Sequence, residues 1–144
     1  MSVENPVQPA TPKRNAVVAQ RAPGEVDPDA LTVSDVEWLM VTAFVYLQQG
    51  HFDKAIALLE VVLSFDRNNF EALKQLCYAY LQAGRYRETL VVCEKLYDLA
   101  VGRNVQVAPV YLMHSYALLH LNQKEQAKGW LVKYQSFLGP ELHA

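Results

Sequence analysis

The side chains best suited to metal binding or nucleophilic chemistry are His51, His114, His120 and His143, with the thiols of Cys77 and Cys93. A metal or catalytic pair on a helix needs its members three or four positions apart, so that they share a face. His114 and His120 are six apart and point in different directions. His51 falls in a turn and His143 in the last residues, and no acid or thiol stands at ligand spacing from any of them. The two cysteines occur where small or medium packed residues belong, so they read as buried thiols in a reducing compartment. No glycine-rich phosphate loop, G-x-S-x-G or H-E-x-x-H is present. The expectation is no catalytic residue, no metal and no cofactor.

Composition narrows the partners. The chain has 144 residues and a formal charge of −2, with 13 Lys+Arg against 15 Asp+Glu. That balance lacks the basic excess of a nucleic-acid binder. The best apolar run, Trp38 to Leu47, falls far short of the roughly 20 residues that a membrane span needs. Residues 1–20 are polar and carry no apolar secretory core, so a cytoplasmic location is expected. Averages over the whole chain conceal a boundary near residue 30. Residues 1–30 hold five of the seven prolines and no aromatic residue, a composition expected to be disordered. Residues 31–144 are expected to form one domain.

That domain has no strand pattern; it reads as helices of about a dozen residues between short polar breaks. The spacing predicts helices near 34–48, 52–65, 69–82, 86–100, 108–121 and 123–138. Ser34 with Glu37, and Asn68 with Glu71, have the spacing of capping boxes. Pro109 suits a first helical turn, where its missing amide hydrogen costs nothing. Gly50 and Gly84 stand where a helix end needs a positive φ.

These two glycines are 34 positions apart, and the residues around them align. Leu39, Ala43, Tyr46, Gly50, Phe52, Ala55 and Leu59 match Leu73, Cys77, Tyr80, Gly84, Tyr86, Thr89 and Cys93. With four residues inserted near 98–108, a third copy follows: Tyr111, Ser115, Leu118, Asn122, Lys124, Ala127 and Leu131. This pattern resembles the tetratricopeptide repeat. Thr89 in place of alanine, Asn122 in place of the turn glycine, and Arg67 and Val101 in place of proline depart from it. The resemblance implies an all-α fold of three helix-turn-helix repeats, about 36–69, 70–107 and 108–141. They would stack in a short right-handed superhelix, with the first helix of each pair lining a concave groove.

Under that resemblance the groove carries Met40, Val41, Phe44 and Leu47 from repeat one, and Lys74, Tyr78 and Leu81 from repeat two. Repeat three contributes Leu112, Met113, Tyr116 and Leu119. A one-residue shift of register would instead turn these side chains into core. The groove positions lack the Lys, Asn and Arg set with which the family grips acidic tails: Met40, Phe44, Gln75, Pro109 and Met113 occupy those places. The expected partner is therefore an amphipathic helix or an extended apolar peptide. A small, near-neutral, three-repeat protein with an apolar groove resembles the type III secretion chaperones, which hold an export substrate soluble before secretion. The alternative is a scaffold subunit built permanently into a larger complex. Only six residues follow Leu138, too few for a capping helix. Leu131, Tyr134, Phe137 and Leu138 are thus expected to be half exposed, available to a homodimer or the cargo unless Trp130 closes the end.

Overall fold

The computed structural model of the chain describes residues 31–138. The expected disorder of 1–30 lies outside these residues, as do His143 and the end of the third repeat. The chain divides into units 1–34 and 35–144, and the architecture below is that of the second. Its helices are α1 (Val33–Gln48), which starts two residues before the division, α2 (Phe52–Phe65), α3 (Phe70–Gln82), α4 (Tyr86–Ala100), α5 (Ala108–His120) and α6 (Lys124–Gln135). No strand occurs among the described residues. Three antiparallel pairs, α1–α2, α3–α4 and α5–α6, stack as a right-handed superhelix with a concave groove.

Within each pair the turn is built the same way. Gly50, Gly84 and Asn122 have φ of 79°, 78° and 65°. Glycine adopts this conformation without a Cβ penalty, and asparagine tolerates it. The next residue's amide then reaches back to a helical carbonyl: His51 to Tyr46 at 2.9 Å, Arg85 to Tyr80 at 2.8 Å, and Gln123 to Leu118 at 2.9 Å. Carbonyls at the ends of three helices are thereby capped at equivalent places.

Small residues set the approach of the paired helices. Ala43 and Ala55 are fully buried in the first pair, and Cys77 and Thr89 in the second. Thr89 fits the alanine position because its hydroxyl donates to the Arg85 carbonyl of its own helix at 3.0 Å. In the third pair the Ser115 hydroxyl donates to the Ala127 carbonyl of the facing helix at 2.7 Å. Leu59, Val62 and Leu96, all fully buried, join Ala43, Ala55 and Cys77 in one core. Along the stack, α2 packs on α3, α4 on α5, and α3 on α5.

Five helix boundaries differ from the sequence expectation by one to three residues, and three of them have a visible local cause. Helix α1 starts at Val33, so Ser34 lies inside the first turn and Thr32 takes the position before it. At α3 the cap is Asn69 rather than Asn68: its extended backbone lets the side-chain oxygen accept the Ala72 amide at 3.0 Å. Helix α6 ends at Gln135 rather than 138. The Phe137 and Leu138 amides bond Tyr134 and Gln135 three residues back, as in a tightened final turn.

Candidate functional site

The first helices of the three pairs turn one face each toward the concave side. Phe44, Leu47 and Gln48 from α1, Glu71, Lys74, Gln75 and Tyr78 from α3, and Pro109, Leu112 and Met113 from α5 line one depression of about 480 Å³. Of the groove residues named from sequence, the structure gathers Phe44, Leu47, Lys74, Tyr78, Leu112 and Met113 around it. Val41, Tyr116 and Leu119 lie on the same helices beyond its rim, largely exposed. Met40 and Leu81 are half-buried outside it, and Met40 takes a long contact from the Asn69 amide, 3.9 Å to sulfur.

Exposure varies among these positions. Phe44 is 50% exposed and Tyr116 49%, values that a core position does not show. Leu47 differs, since it is buried and forms floor rather than wall. Gln48, Glu71, Gln75 and Pro109 also belong to the lining, and the repeat register already gives Gln75 and Pro109 as groove positions. Gln75 carries an amide oxygen that is buried without a hydrogen-bond partner among the described residues. The groove's lysine is not a free charge, because Lys74 pairs with Glu71 at 3.3 Å and lies over the Phe70 ring. Apolar flanks from α1 and α5 thus enclose a polar line along α3, where Gln82 donates to the Tyr78 hydroxyl at 2.6 Å.

The residues with reactive side chains are packed elsewhere. The Cys77 and Cys93 sulfurs are 3.5 Å apart, free and buried between α3 and α4. Their mutual hydrogen bond and burial push the Cys93 thiol far above its ordinary range, so it stays protonated. His114 is buried, bonded through Nδ1 to the Tyr97 hydroxyl at 2.9 Å and stacked on Trp130 with ring centroids 4.1 Å apart. Burial, aided by the Lys133 charge, lowers its pKa to about 4, so the ring is neutral at pH 7. His120 stacks on Tyr86, and His51 meets the Tyr46 ring edge-on. No group of three or more His, Cys, Asp or Glu at metal-binding separation occurs among the described residues.

Toward the far end of the array, Trp130 faces the preceding helix pair. It stacks on Tyr97 at 5.2 Å with the planes 3° apart, while Phe137 tilts against Tyr111 at 5.5 Å. Tyr134 and Leu138 are half-buried there, while Leu131 and Phe137 stay more than one-third exposed. No described helix is long and apolar enough to cross a membrane.

Comparison with known proteins agrees with this geometry. No curated protein matches the chain. The crystal structure of the tetratricopeptide domain of Arabidopsis FLU superposes with a TM-score of 0.67 at 15% identity, covering 70% of this chain and 92% of that one. Residues 46–96 match the family model of the tetratricopeptide repeat. The chain carries tetratricopeptide repeat sequence from the end of α1 into α4 and adopts the tetratricopeptide fold.

Proposed function

We propose that this protein is a non-catalytic chaperone, acting in the cytoplasm, whose concave groove holds a hydrophobic or amphipathic segment of a type III secretion substrate before export. The observation carrying the proposal is the depression that crosses α1, α3 and α5, with Phe44, Tyr78 and Leu112 exposed around it. Burying one large apolar side chain contributes about 1.5–3 kcal/mol. Four or five such anchors outweigh an association cost of at least ~4 kcal/mol. Met113 in the lining suits a groove that must fit a varied surface, because methionine repacks readily. The neutralised Lys74 and the absence of a basic clamp at Met40, Phe44, Gln75, Pro109 and Met113 favour an apolar guest over an acidic tail.

The test is co-purification from the native host, identification of the bound protein, and reconstitution of that pair. Phe44→Glu or Tyr116→Glu is expected to abolish binding while the helical circular dichroism stays intact. If neither change matters and substitution of Lys124 or Lys128 does, the groove is not the binding face. Exchange kinetics decide between chaperone and permanent scaffold. Labelled partner must exchange with bound partner for the chaperone reading to stand.

A further inference from the structure

Two sulfurs face each other inside the second helix pair. The Sγ atoms of Cys77 on α3 and Cys93 on α4 are 3.5 Å apart, and both residues are fully buried. The equivalent places hold Ala43 and Leu59 in the first pair, and Ser115 and Leu131 in the third. Packing such a pair therefore requires sulfur on neither side. The Cys77 thiol donates to the Thr89 carbonyl of α4 at 3.9 Å, which leaves its lone pairs to accept from the Cys93 thiol. A disulfide holds its sulfurs about 2.05 Å apart, so an approach of about 1.5 Å remains, within reach of side-chain rotation. The chain has two cysteines in all, so neither sulfur has a competing thiol in the same molecule.

Neither sulfur reacts while the pair is closed. Both are out of solvent, and hydrogen bonding keeps Cys93 protonated. Reaction starts when α3 and α4 part locally, a fluctuation that costs less than global unfolding. We propose that Cys77 and Cys93 are an oxidation-triggered staple: hydrogen peroxide meeting the opened pair leads to an intrachain disulfide that fastens α3, the central helix of the groove, to α4. In the first step the peroxide O–O bond breaks and an S–O bond forms, giving one sulfenic acid and one water. On reclosure the second thiol attacks that sulfur. The S–S bond forms, the S–O bond breaks, and the hydroxyl leaves with the thiol proton as a second water. Together the two thiols give up two electrons and two protons, and the peroxide is reduced to water. A mixed disulfide with a bulky thiol such as glutathione does not fit the closed pair, which favours the internal partner.

Peroxide treatment of the full chain tests this. Thiol titration in urea is expected to find both thiols lost, and mass spectrometry to find two hydrogens lost and a peptide bridge joining Cys77 to Cys93. The helical circular dichroism should persist. Because the bridge joins residues 16 positions apart, the unfolding equilibrium should shift roughly 100-fold toward the folded state. That shift is read as a raised urea midpoint, reversed by dithiothreitol. Thiol loss should accelerate in urea concentrations below the midpoint, where local opening is more frequent. Cys77→Ala, which places the residue of the first pair at that position, should gain no midpoint from peroxide, and Cys93→Ala is the parallel control. Intermolecular dimers or sulfinic acids in place of the internal bridge overturn the proposal. So does a bridged chain whose midpoint is not raised, or the same rise in both cysteine variants.

Discussion

The two junctions between helix pairs occupy equivalent places and are built from different materials. Between the first and second pairs, Leu63, Leu73, Leu76 and Val92 form an aliphatic contact within the main core. Between the second and third, the same positions hold Tyr97, Tyr111, His114 and Trp130, whose rings stack or tilt with centroids 4.1–5.7 Å apart. The connections differ in step. Residues 66–69 link α2 to α3, whereas 101–107 link α4 to α5. The longer link accommodates the larger rings and leaves a shallow cavity of about 380 Å³ lined by Tyr97, Tyr111, Trp130 and Lys133 among others. A repeat thus conserves where its helices meet without prescribing how the contact is filled. Aliphatic side chains pack by shape alone, whereas the aromatic set adds ring stacking, a hydrogen bond and a titratable group.

The contrast can be broken from either side. The largest effect expected is at Trp130: Trp130→Ala should lower unfolding free energy by about 3–5 kcal/mol, and Leu73→Ala at the aliphatic junction by about 2–5 kcal/mol. Urea denaturation measures both, and a cost below about 1 kcal/mol at Trp130 would make the aromatic junction ornamental rather than structural.

Acid should separate the junctions next. The folded pKa of His114 is about 4 against an unfolded value of 6.5. The unfolded chain therefore takes up a proton first as the pH falls. Stability is full above pH 6.5, declines between 6.5 and 4, and levels off once the native ring titrates. The loss attached to this group is about 3 kcal/mol. Replacing it with the counterpart from the aliphatic junction, His114→Leu, should remove most of that decline in denaturation measured across the same range.

Helix starts give a smaller difference. The α3 cap is a side chain, and Asn69→Ala should cost about 1 kcal/mol. At α5 the same position is Val107, which makes no side-chain cap; there Gln106 serves the Ala108 amide at 3.0 Å, and Pro109 has no amide hydrogen to serve. Val107→Ala should therefore lose no capping energy in the same assay. The smallest effect expected is at Lys133, whose ammonium lies 4.3 Å from the Trp130 ring centroid. Lys133→Met should cost about 0.5–1 kcal/mol, detectable as a small shift in denaturation midpoint.

Much of this architecture was readable along the chain because it depends on local chemistry. A positive φ demands Gly50, Gly84 or Asn122, and close helix approach demands the small residues at 43, 55, 77 and 127. Six helices follow with boundaries shifted by a few residues at most, since capping depends on one side-chain rotamer and backbone angle, as at Asn69. Groove positions also follow from the repeat register, and the structure leaves Val41, Phe44, Tyr78, Leu112, Tyr116 and Leu119 of them exposed. What the register does not give is which of these positions close on one depression: Gln75 and Pro109 do, whereas Met40 and Leu81 stay outside it.

By itself, the sequence determined the helices, their pairing and the repeat period, because each rests on contacts within one or two turns or between adjacent helices. Tertiary structure alone decided which apolar side chains remain exposed after packing. Phe44 and Leu47 lie three positions apart on one helix, yet one is half exposed and the other buried. It also decided that His114, Tyr97 and Trp130 form one cluster, since they come from three helices. Exposure depends on every neighbour a residue meets in space, and those neighbours are set only when the three pairs stack.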